Sequence, residues 1–249
     1  MAIRRAVLLG LGIALCGCAA QQAPRPDDDP WESFNRKMFW FNDRLDTHVM
    51  EPTARGWDWA VPEVAQRGVH NFFNNLRFPI VLVNDLLQGR GRQAVETLVR
   101  FQTNTVLGVL GFCDVAADRG MPAHPQDTGL TFARWGIAPG PYLVLPFFGP
   151  SSPRDGVGLA ADGALLIYPY FIPIPGVSVG INAVNVVNER ARFLDAGDRA
   201  KGAALDFYVF VRNAYVQRRW REINDGAPSA PDEDLYNEEN LGGYLEDAQ

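Results

Sequence analysis

One pentapeptide of the sequence has the spacing of a catalytic motif. Gly176-Val177-Ser178-Val179-Gly180 matches the Gly-x-Ser-x-Gly turn that presents the nucleophilic serine in α/β-hydrolases, and the corresponding enzyme would be a lipid hydrolase. In that fold the catalytic histidine follows the serine, whereas all histidines of this chain precede it. The segment Pro173-Ile174-Pro175 also interrupts the strand that must lead into the turn. We therefore predict no catalytic residues and keep hydrolysis as the less favoured alternative.

The residue types that bind metals are too dispersed to form a recognisable site. The three histidines are His48, His70 and His124, and they are not spaced as paired metal ligands. Asp232-Glu233-Asp234 resembles the start of a calcium loop, but Asn237 stands where such a loop needs glycine. The sequence also lacks the Gly-x-x-x-x-Gly-Lys pattern that binds phosphates. We predict neither a metal site nor a cofactor.

The N-terminus carries the clearest modification signal. Arg4 and Arg5 precede the apolar stretch Ala6–Leu15, which at about ten residues is shorter than the roughly 20 that a membrane-spanning helix needs. It runs into Leu15-Cys16-Gly17-Cys18, the pattern of a bacterial lipoprotein signal, with a leucine and a small residue ahead of the modified cysteine. We predict that residues 1–17 are a signal peptide and that Cys18 is lipidated.

Two alternatives to lipidation at Cys18 remain. Cys16 would place the bulky Leu15 at a cleavage site that prefers a small side chain, and an ordinary secretory signal would be cleaved without lipidation. A cysteine that carries three acyl chains stays on its membrane, because two or more chains are enough for stable anchoring. Ala19 follows Cys18 in place of the aspartate that retains lipoproteins at the inner membrane, which favours export to the outer membrane.

The charge of the chain limits its partners. Loss of Arg4 and Arg5 reduces the 23 basic residues to 21 against 29 acidic ones, a net charge of −8 after cleavage. Nucleic acids require a basic surface, so we predict no nucleic-acid partner. Attraction to anionic lipid by charge alone is excluded on the same ground, and membrane contact must come from the anchor and from apolar surface.

The sequence divides into four segments: the signal peptide 1–17, a flexible tether 18–29, a helical domain 30–223 and an acidic, disordered tail 224–249. Asp29-Pro30 supplies a helix cap and a first-turn proline. Helical spacing of apolar residues predicts further helices near 62–76, 78–88, 91–107, 127–135, 155–167, 176–193 and 198–223. Strand-like alternation is almost absent, so the predicted fold class is all-α.

Two regions are unusually apolar for a soluble helical domain. Aromatic residues crowd the first helix, as at a membrane interface, although packing in a core is an equal alternative. Between Gly156 and Asn188, Asp162 is the only charged residue, and three prolines prevent a continuous spanning helix. A re-entrant or interfacial pair of helices fits this stretch, with a buried core as the alternative. Cys113 is expected to be a small buried residue.

Long motifs between Asp29 and Arg221 resemble the MlaA (VacJ) family of outer-membrane lipoproteins. The residues that carry the resemblance include Asp29-Pro30-Trp31-Glu32-Ser33-Phe34-Asn35-Arg36, Phe41-Asn42, Asn71-Phe72-Phe73, Asn84-Asp85-Leu86-Leu87-Gln88-Gly89, Arg100-Phe101, Asn104-Thr105, Trp135-Gly136, Gly140-Pro141-Tyr142-Leu143-Val144-Leu145-Pro146 and Gly149-Pro150-Ser151-Ser152. Agreement of this length does not arise by chance.

The resemblance implies a ring-shaped helical domain in the inner leaflet of the outer membrane, lipid-anchored on the periplasmic side. Phospholipids that have strayed into the outer leaflet would pass through its amphipathic channel to a periplasmic phospholipid carrier of the MlaC type. Trimeric porins are further partners of the family. A structural or adhesive lipoprotein, which would need no channel, is the alternative from a different functional class.

The resemblance also suggests site residues. Trp135 to Arg154 resembles the mobile hairpin of the family, in which Gly136 and Gly140 would act as hinges; Ala138-Pro139 departs from the family pattern and predicts a stiffer loop. Asn182, Asn185 and Asn188 share one helical face and are candidates for lining the channel. A polar stripe that faces solvent is the alternative for these asparagines.

Overall fold

The computed structural model describes residues 29–166 and 175–224, which are mostly helical. The helices are α1 (Glu32–Leu45), α2 (Glu51–Ala60), α3 (Glu63–Leu76), α4 (Phe78–Leu87), α5 (Gly91–Val106), α6 (Val115–Asp118), α7 (Thr128–Arg134), α8 (Pro153–Leu165), α9 (Pro175–Arg192), α10 (Leu194–Ala203) and α11 (Phe207–Ile223). A π-helical turn, Asp46–Met50, joins α1 to α2. Helix α9 packs against α2 and α3, α4 against α5, and α7 against α8. The predicted helical class is confirmed.

Most predicted helices begin and end within about two residues of the observed ones. The predicted helix 198–223 is wrong in one respect, because the segment forms two helices, α10 and α11. Ala204 has an extended ψ of 126°, which ends α10. Asp206 then caps α11 by accepting a hydrogen bond from the Val209 amide at 3.2 Å. A new N-cap in the middle of an apolar-periodic stretch is the physical reason for the break.

The first helix also begins differently from the prediction. It starts at Glu32, and Trp31 occupies the N-cap position without a side-chain hydrogen bond to the helix. The Asp29 carboxylate instead accepts hydrogen bonds from Asn35, at 2.9 Å, and from the Tyr208 hydroxyl on α11. Asp29 therefore ties the chain entry to the last helix.

The described residues include one β-hairpin, in which β1 (Leu143–Leu145) pairs antiparallel with β2 (Gly149–Ser151). Two asparagines of α1, seven residues apart, form hydrogen bonds with the backbone along the edge of β1 that faces away from β2. The Asn35 amide donates to the Tyr142 carbonyl and accepts from the Val144 amide, both at 2.9 Å. The Asn42 amide donates to the Leu145 carbonyl at 2.9 Å. The amides satisfy a strand edge that would otherwise lack partners.

Polar side chains are unusually frequent in the interior, and large apolar side chains are unusually frequent on the surface. Of the seven largest fully buried side chains, five are polar: Asn35, Asn84, Asp85, Thr131 and Asn188. Many large apolar side chains are exposed, among them Trp40, Trp59, Val106, Phe147, Phe148 and Leu205. Trp59 is 89% exposed. In the described part of the chain, no helix is both long enough and apolar enough to cross a membrane.

The loop after α5 adds to this exposed apolar surface. Val109 and Leu110 have positive φ angles of 53° and 59°, and both side chains point outward. Left-handed backbone is unfavourable for a β-branched residue such as Val109. Cys113 ends this loop and is exposed, so the expectation that it is buried is wrong. The tight turn Gly108–Phe112 leaves it outside the helix packing.

Candidate functional site

Helix α3 separates an apolar cavity from a polar one. Val69, Phe72, Phe73 and Leu76 recur at the i, i+3, i+4 and i+7 spacing of one helical face and line the apolar cavity. On the opposite face, Asn71, Asn74 and Asn75 line the polar cavity. A single helix therefore presents hydrocarbon to one space and amide groups to the other.

The apolar cavity lies between α3 and α9 and has a volume of about 350 Å³. Phe112 closes one side and stacks on Phe72 with ring centroids 4.9 Å apart. Ile181 and Val184 of α9 line the other side. Because the seven side chains that line it are all apolar, the cavity suits a hydrocarbon chain and offers no partner for a charged group.

The polar cavity, of about 80 Å³, lies among α3, α4 and α5. Arg100 donates from Nη2 to both carboxylate oxygens of Asp114 at 3.1 Å, and Asn104 donates to the same carboxylate at 2.8 Å. Burial alone would raise the pKa of Asp114, but the hydrogen bonds from Asn104 and Arg100 hold it below the ordinary value. Phe78 and Phe101 stack beside these groups. The cavity thus combines charged and amide groups with aromatic wall.

A buried carboxyl group, that of Asp85, contacts two residues that line the polar cavity, Thr97 and His124. Asp85 is fully buried and accepts a hydrogen bond from the Thr97 hydroxyl at 2.8 Å. The Nε2 atom of His124 lies 3.0 Å from the same carboxylate. The Thr97 hydroxyl oxygen lies closer to Asp85, at 2.8 Å, than to Nε2 of His124, at 3.4 Å, so its shorter contact is with the carboxyl group and not with a general base. Thr97 and His124 provide the buried carboxyl group with hydrogen-bond partners.

Helix α9 is attached to α3 by a second histidine. The Nδ1 atom of His70 lies 2.5 Å from Oε1 of Glu189, while the Asn74 amide donates to Nε2 of His70 at 2.8 Å. Burial alone would raise the pKa of Glu189, but the contacts with His70 and the charge of Arg192 hold it below its ordinary value. The pair fixes the two helices that enclose the apolar cavity.

The three asparagines of α9 do not share one environment. Asn188 is fully buried; its amide donates to the Gln66 carbonyl and accepts from the Trp57 indole, both at 3.1 Å. It therefore joins α9 to α2 and α3 and leaves no polar atom for a lipid, which corrects the expectation that it lines a channel. Asn182 is exposed and donates to the Ser178 carbonyl, and Asn185 is half-buried.

The two candidate hinge glycines lie where the backbone requires glycine. Gly136 has a φ of 82° and ends α7: its amide bonds to the Ala133 carbonyl, and the Ile137 amide bonds to the Phe132 carbonyl. This is the Schellman arrangement that terminates helices. Gly140 has a φ of 73°, and a Cβ there would lie 3.2 Å from Pro153. Whether they move remains a prediction.

The other predicted sites either lack the geometry of a site or lie outside the described residues. Ser178 lies within α9, whereas a hydrolase nucleophile sits on a strand-to-helix turn. No group of three or more metal-binding side chains is present within residues 29–166 and 175–224. Cys18, the calcium-like segment from Asp232 and nearly all of the acidic tail lie outside the described residues. The Arg100–Asp114 pair was missed as a site, although Arg100-Phe101 stood among the motif residues.

Comparisons with known proteins agree on one family. The model of the family described as "MlaA lipoprotein" matches residues 27–222. The "Intermembrane phospholipid transport system lipoprotein MlaA" of Escherichia coli K12 is 38% identical over 226 residues, which are 88% of each chain. The protein of the same name from Haemophilus influenzae is 34% identical over 224 residues, 86% of this chain and 88% of its own.

A solved structure is similar as well. It is described by the words "Structural basis for maintenance of bacterial outer membrane lipid asymmetry", and its chain is 34% identical to this one. The TM-score is 0.69, and the match covers 79% of this chain and 99% of the other. The sequence and the fold therefore point to the same group of proteins.

Proposed function

Since the chain belongs to the MlaA lipoprotein family, we propose that it is an outer-membrane lipoprotein of an intermembrane phospholipid transport system. In this role it removes phospholipids that have strayed into the outer leaflet and delivers them to a periplasmic phospholipid carrier. The relatives named for phospholipid transport and the solved structure named for lipid asymmetry support this assignment. The protein would act as a transport component and not as an enzyme.

The observation that carries the proposal is the pair of cavities on opposite faces of α3. A phospholipid has hydrocarbon tails and a polar head group, and each part requires its own surroundings. The apolar cavity beside Phe72 and Ile181 has room for hydrocarbon. The polar cavity around Asn75 and Arg100 offers hydrogen-bonding groups, and both cavities border the same helix.

The exposed apolar side chains support placement in a membrane leaflet. Contiguous apolar surface is rare on soluble monomers and marks contact with lipid or protein. The tryptophans Trp40 and Trp59 are of the residue type that is enriched at membrane interfaces. Fully buried polar groups such as Asn84, which accepts a hydrogen bond from Thr131 at 2.6 Å, would provide the internal pairing that lipid surroundings demand.

The remaining parts of the proposal concern attachment, partners and motion. Lipidated Cys18 would hold the domain on the membrane. Trimeric porin would neighbour the ring-shaped domain, and the channel would run along α3. Gly136 and Gly140 would let the hairpin β1–β2 move beside it. Asn182 and Asn185 stay candidates for lining the path.

Photolabelling with a phospholipid whose acyl chain ends in a diazirine tests the lipid path. Full-length protein in detergent is labelled, digested and analysed by mass spectrometry. Labelled peptides that contain Phe72 or Ile181 are the expected result, because these side chains line the apolar cavity. Labelling confined to outward-facing residues such as Val95 and Val106 would contradict a lipid path through the protein and leave only a lipid-contacting surface.

The hydrolase alternative has its own test. Ser178→Ala removes the only candidate nucleophile of the Gly-x-Ser-x-Gly match. We expect this variant to complement a deletion of the gene as well as the wild type does, because the helical geometry at Ser178 does not form a nucleophile turn. Loss of complementation by a well-folded Ser178→Ala protein would support the alternative that the protein is a lipid hydrolase.

A further inference from the structure

Arg100 has a hydrogen-bond donor that the protein does not use. Its Nη2 atom is committed to Asp114, but its Nη1 atom is buried and has no hydrogen-bond partner among the described residues. The Arg100 side chain is only 13% exposed. A buried charged donor without an acceptor is costly, so such atoms call for an explanation, and a ligand that is absent from the structure is one.

The unpaired donor belongs to a side chain that lines the polar cavity. Thr97, Arg100 and Asn104 follow one another at helical spacing on α5 and form one wall. Asn71 and Asn75 of α3 form the wall opposite. A cavity of about 80 Å³ has room for several waters or for one phosphate-sized group, since a single water needs about 10–15 Å³ on this measure.

The charges around the cavity select among anions. Asp114 balances the charge of Arg100, and the Asp85 carboxyl group lies 3.0 Å from His124, so these residues give the cavity no excess of positive charge. A doubly charged free phosphate would be poorly compensated there. A phosphodiester carries one negative charge and still offers the oxygens that a guanidinium prefers. The amide groups of Asn71 and Asn75 can serve the remainder of a zwitterionic head group.

We propose that the polar cavity is a binding site for the phosphodiester of a phospholipid head group and that Nη1 of Arg100 is its principal donor. The inference rests on the proposed function and deepens it, because it names the side chain that would recognise the head group. Arg100 then distinguishes phospholipids from uncharged lipids with the same tails.

Binding of three probes to full-length protein in detergent tests the site. The probes are dioleoylphosphatidylethanolamine, dioleoylglycerol, which has the same tails without phosphate, and inorganic phosphate. The variant Arg100→Gln removes the donor, and Arg100→Gln with Asp114→Asn avoids an unpaired aspartate. Arg92→Gln is the matched control, because Arg92 lies on the same helix and is exposed. Dissociation constants from native mass spectrometry and thermal unfolding curves are compared for all four proteins.

The expected result is a loss of phosphatidylethanolamine affinity of about tenfold or more in both Arg100 variants, since a hydrogen bond to a charged group is worth at least that factor. Dioleoylglycerol should bind equally to all four proteins, and millimolar phosphate should not displace the phospholipid. Equal phosphatidylethanolamine binding by wild type and folded Arg100 variants would overturn the site while the transport function stands. Displacement by phosphate would identify a free-phosphate site instead. If neither lipid binds to the wild type, the proposed function itself fails.

Discussion

Arg219 donates two hydrogen bonds to Asp155, from Nε to Oδ2 and from Nη2 to Oδ1, each 2.9 Å long. The same guanidinium donates to both oxygens of Asp127 at 2.7 and 3.1 Å. Asp127 caps α7, and Asp155 lies in the first turn of α8. One side chain of α11 therefore holds both ends of the hairpin segment, which we define as residues 135–152.

The first prediction concerns this arginine. Arg219→Met should destabilise the protein by about 1–3 kcal/mol, because it removes a charged hydrogen-bond donor from two carboxylates, of which Asp155 keeps its contacts with Arg154 and Tyr215. Denaturant unfolding measures the change, and proteolysis tests whether the hairpin segment is cleaved first. Arg218→Met is the matched control, since Arg218 is exposed on the same helix. Equal stability of the two variants would contradict a role of Arg219 in holding the hairpin.

The second prediction is a dependence of stability on pH. Burial alone would raise the pKa of Asp155, but the charge of Arg219 and its hydrogen bonds hold the pKa below the ordinary carboxyl value. A depressed native pKa means that the stabilisation is complete above the unfolded value near 4 and is lost as the pH falls through the lower native value. The free energy of unfolding should therefore fall as the pH drops from about 5 to about 2, because protonation removes the attraction between the Asp155 carboxylate and Arg219. Asp155→Asn should be less stable at pH 7 and should show a shallower fall.

The third prediction separates backbone strain from motion at Gly136. Its φ of 82° is unfavourable for alanine, although a Cβ would meet no atom within 4 Å. Gly136→Ala should therefore cost about 1–2 kcal/mol. Gly163→Ala in α8, where a Cβ also meets no atom, should instead stabilise by up to about 1 kcal/mol. If Gly136 acts as a hinge, Gly136→Ala should lose more transport activity than a variant that is destabilised equally by a substitution elsewhere in the protein.

Gly140 is a poorer position for the same test. Proline cannot adopt its φ of 73°, and any side chain would approach Pro153 closely. A loss of transport in Gly140→Pro would therefore reflect local misfolding as much as a lost hinge. Gly136 is the cleaner site because only its backbone angle opposes substitution.

The fourth prediction concerns the anchor. Cys18→Ala should abolish lipidation, leave the protein in the soluble or unprocessed fraction and prevent complementation of a deletion strain. Cys113→Ala is the control, because Cys113 is exposed and lies outside the predicted modification site. Metabolic labelling with palmitate and membrane fractionation measure both variants. Normal membrane attachment and complementation by Cys18→Ala would show that the apolar surface is sufficient.

The sequence predicted the helices well because their apolar residues recur at regular spacing and prolines or glycines separate them. Regular spacing does not show which partner a buried polar side chain finds. Asn35 and Asn42 stood out as motif residues, but their bonds to β1 join positions more than 100 residues apart. For the same reason Asp29, which looked like a helix cap, is a partner of Tyr208.

The sequence predicts less of the candidate site than of the fold. Asn188 falls on the same periodic face as Asn182, yet it is buried between α2 and α3 because α9 crosses both. The sequence shows that α3 is amphipathic. It does not show that both faces of this helix line cavities. The unpaired donor of Arg100 depends on how Asp114 approaches it from the next loop. Such features arise from tertiary packing alone.

The most direct test of the central claim is the amount of phospholipid in the outer leaflet of cells with and without this gene. Hepta-acylated lipid A, quantified together with detergent sensitivity, reports that amount. We predict more hepta-acylated lipid A in the deletion strain and restoration by the wild-type gene, because the protein withdraws phospholipid from the surface. Unchanged hepta-acylated lipid A in the deletion strain would contradict removal of outer-leaflet phospholipid and would favour a structural lipoprotein.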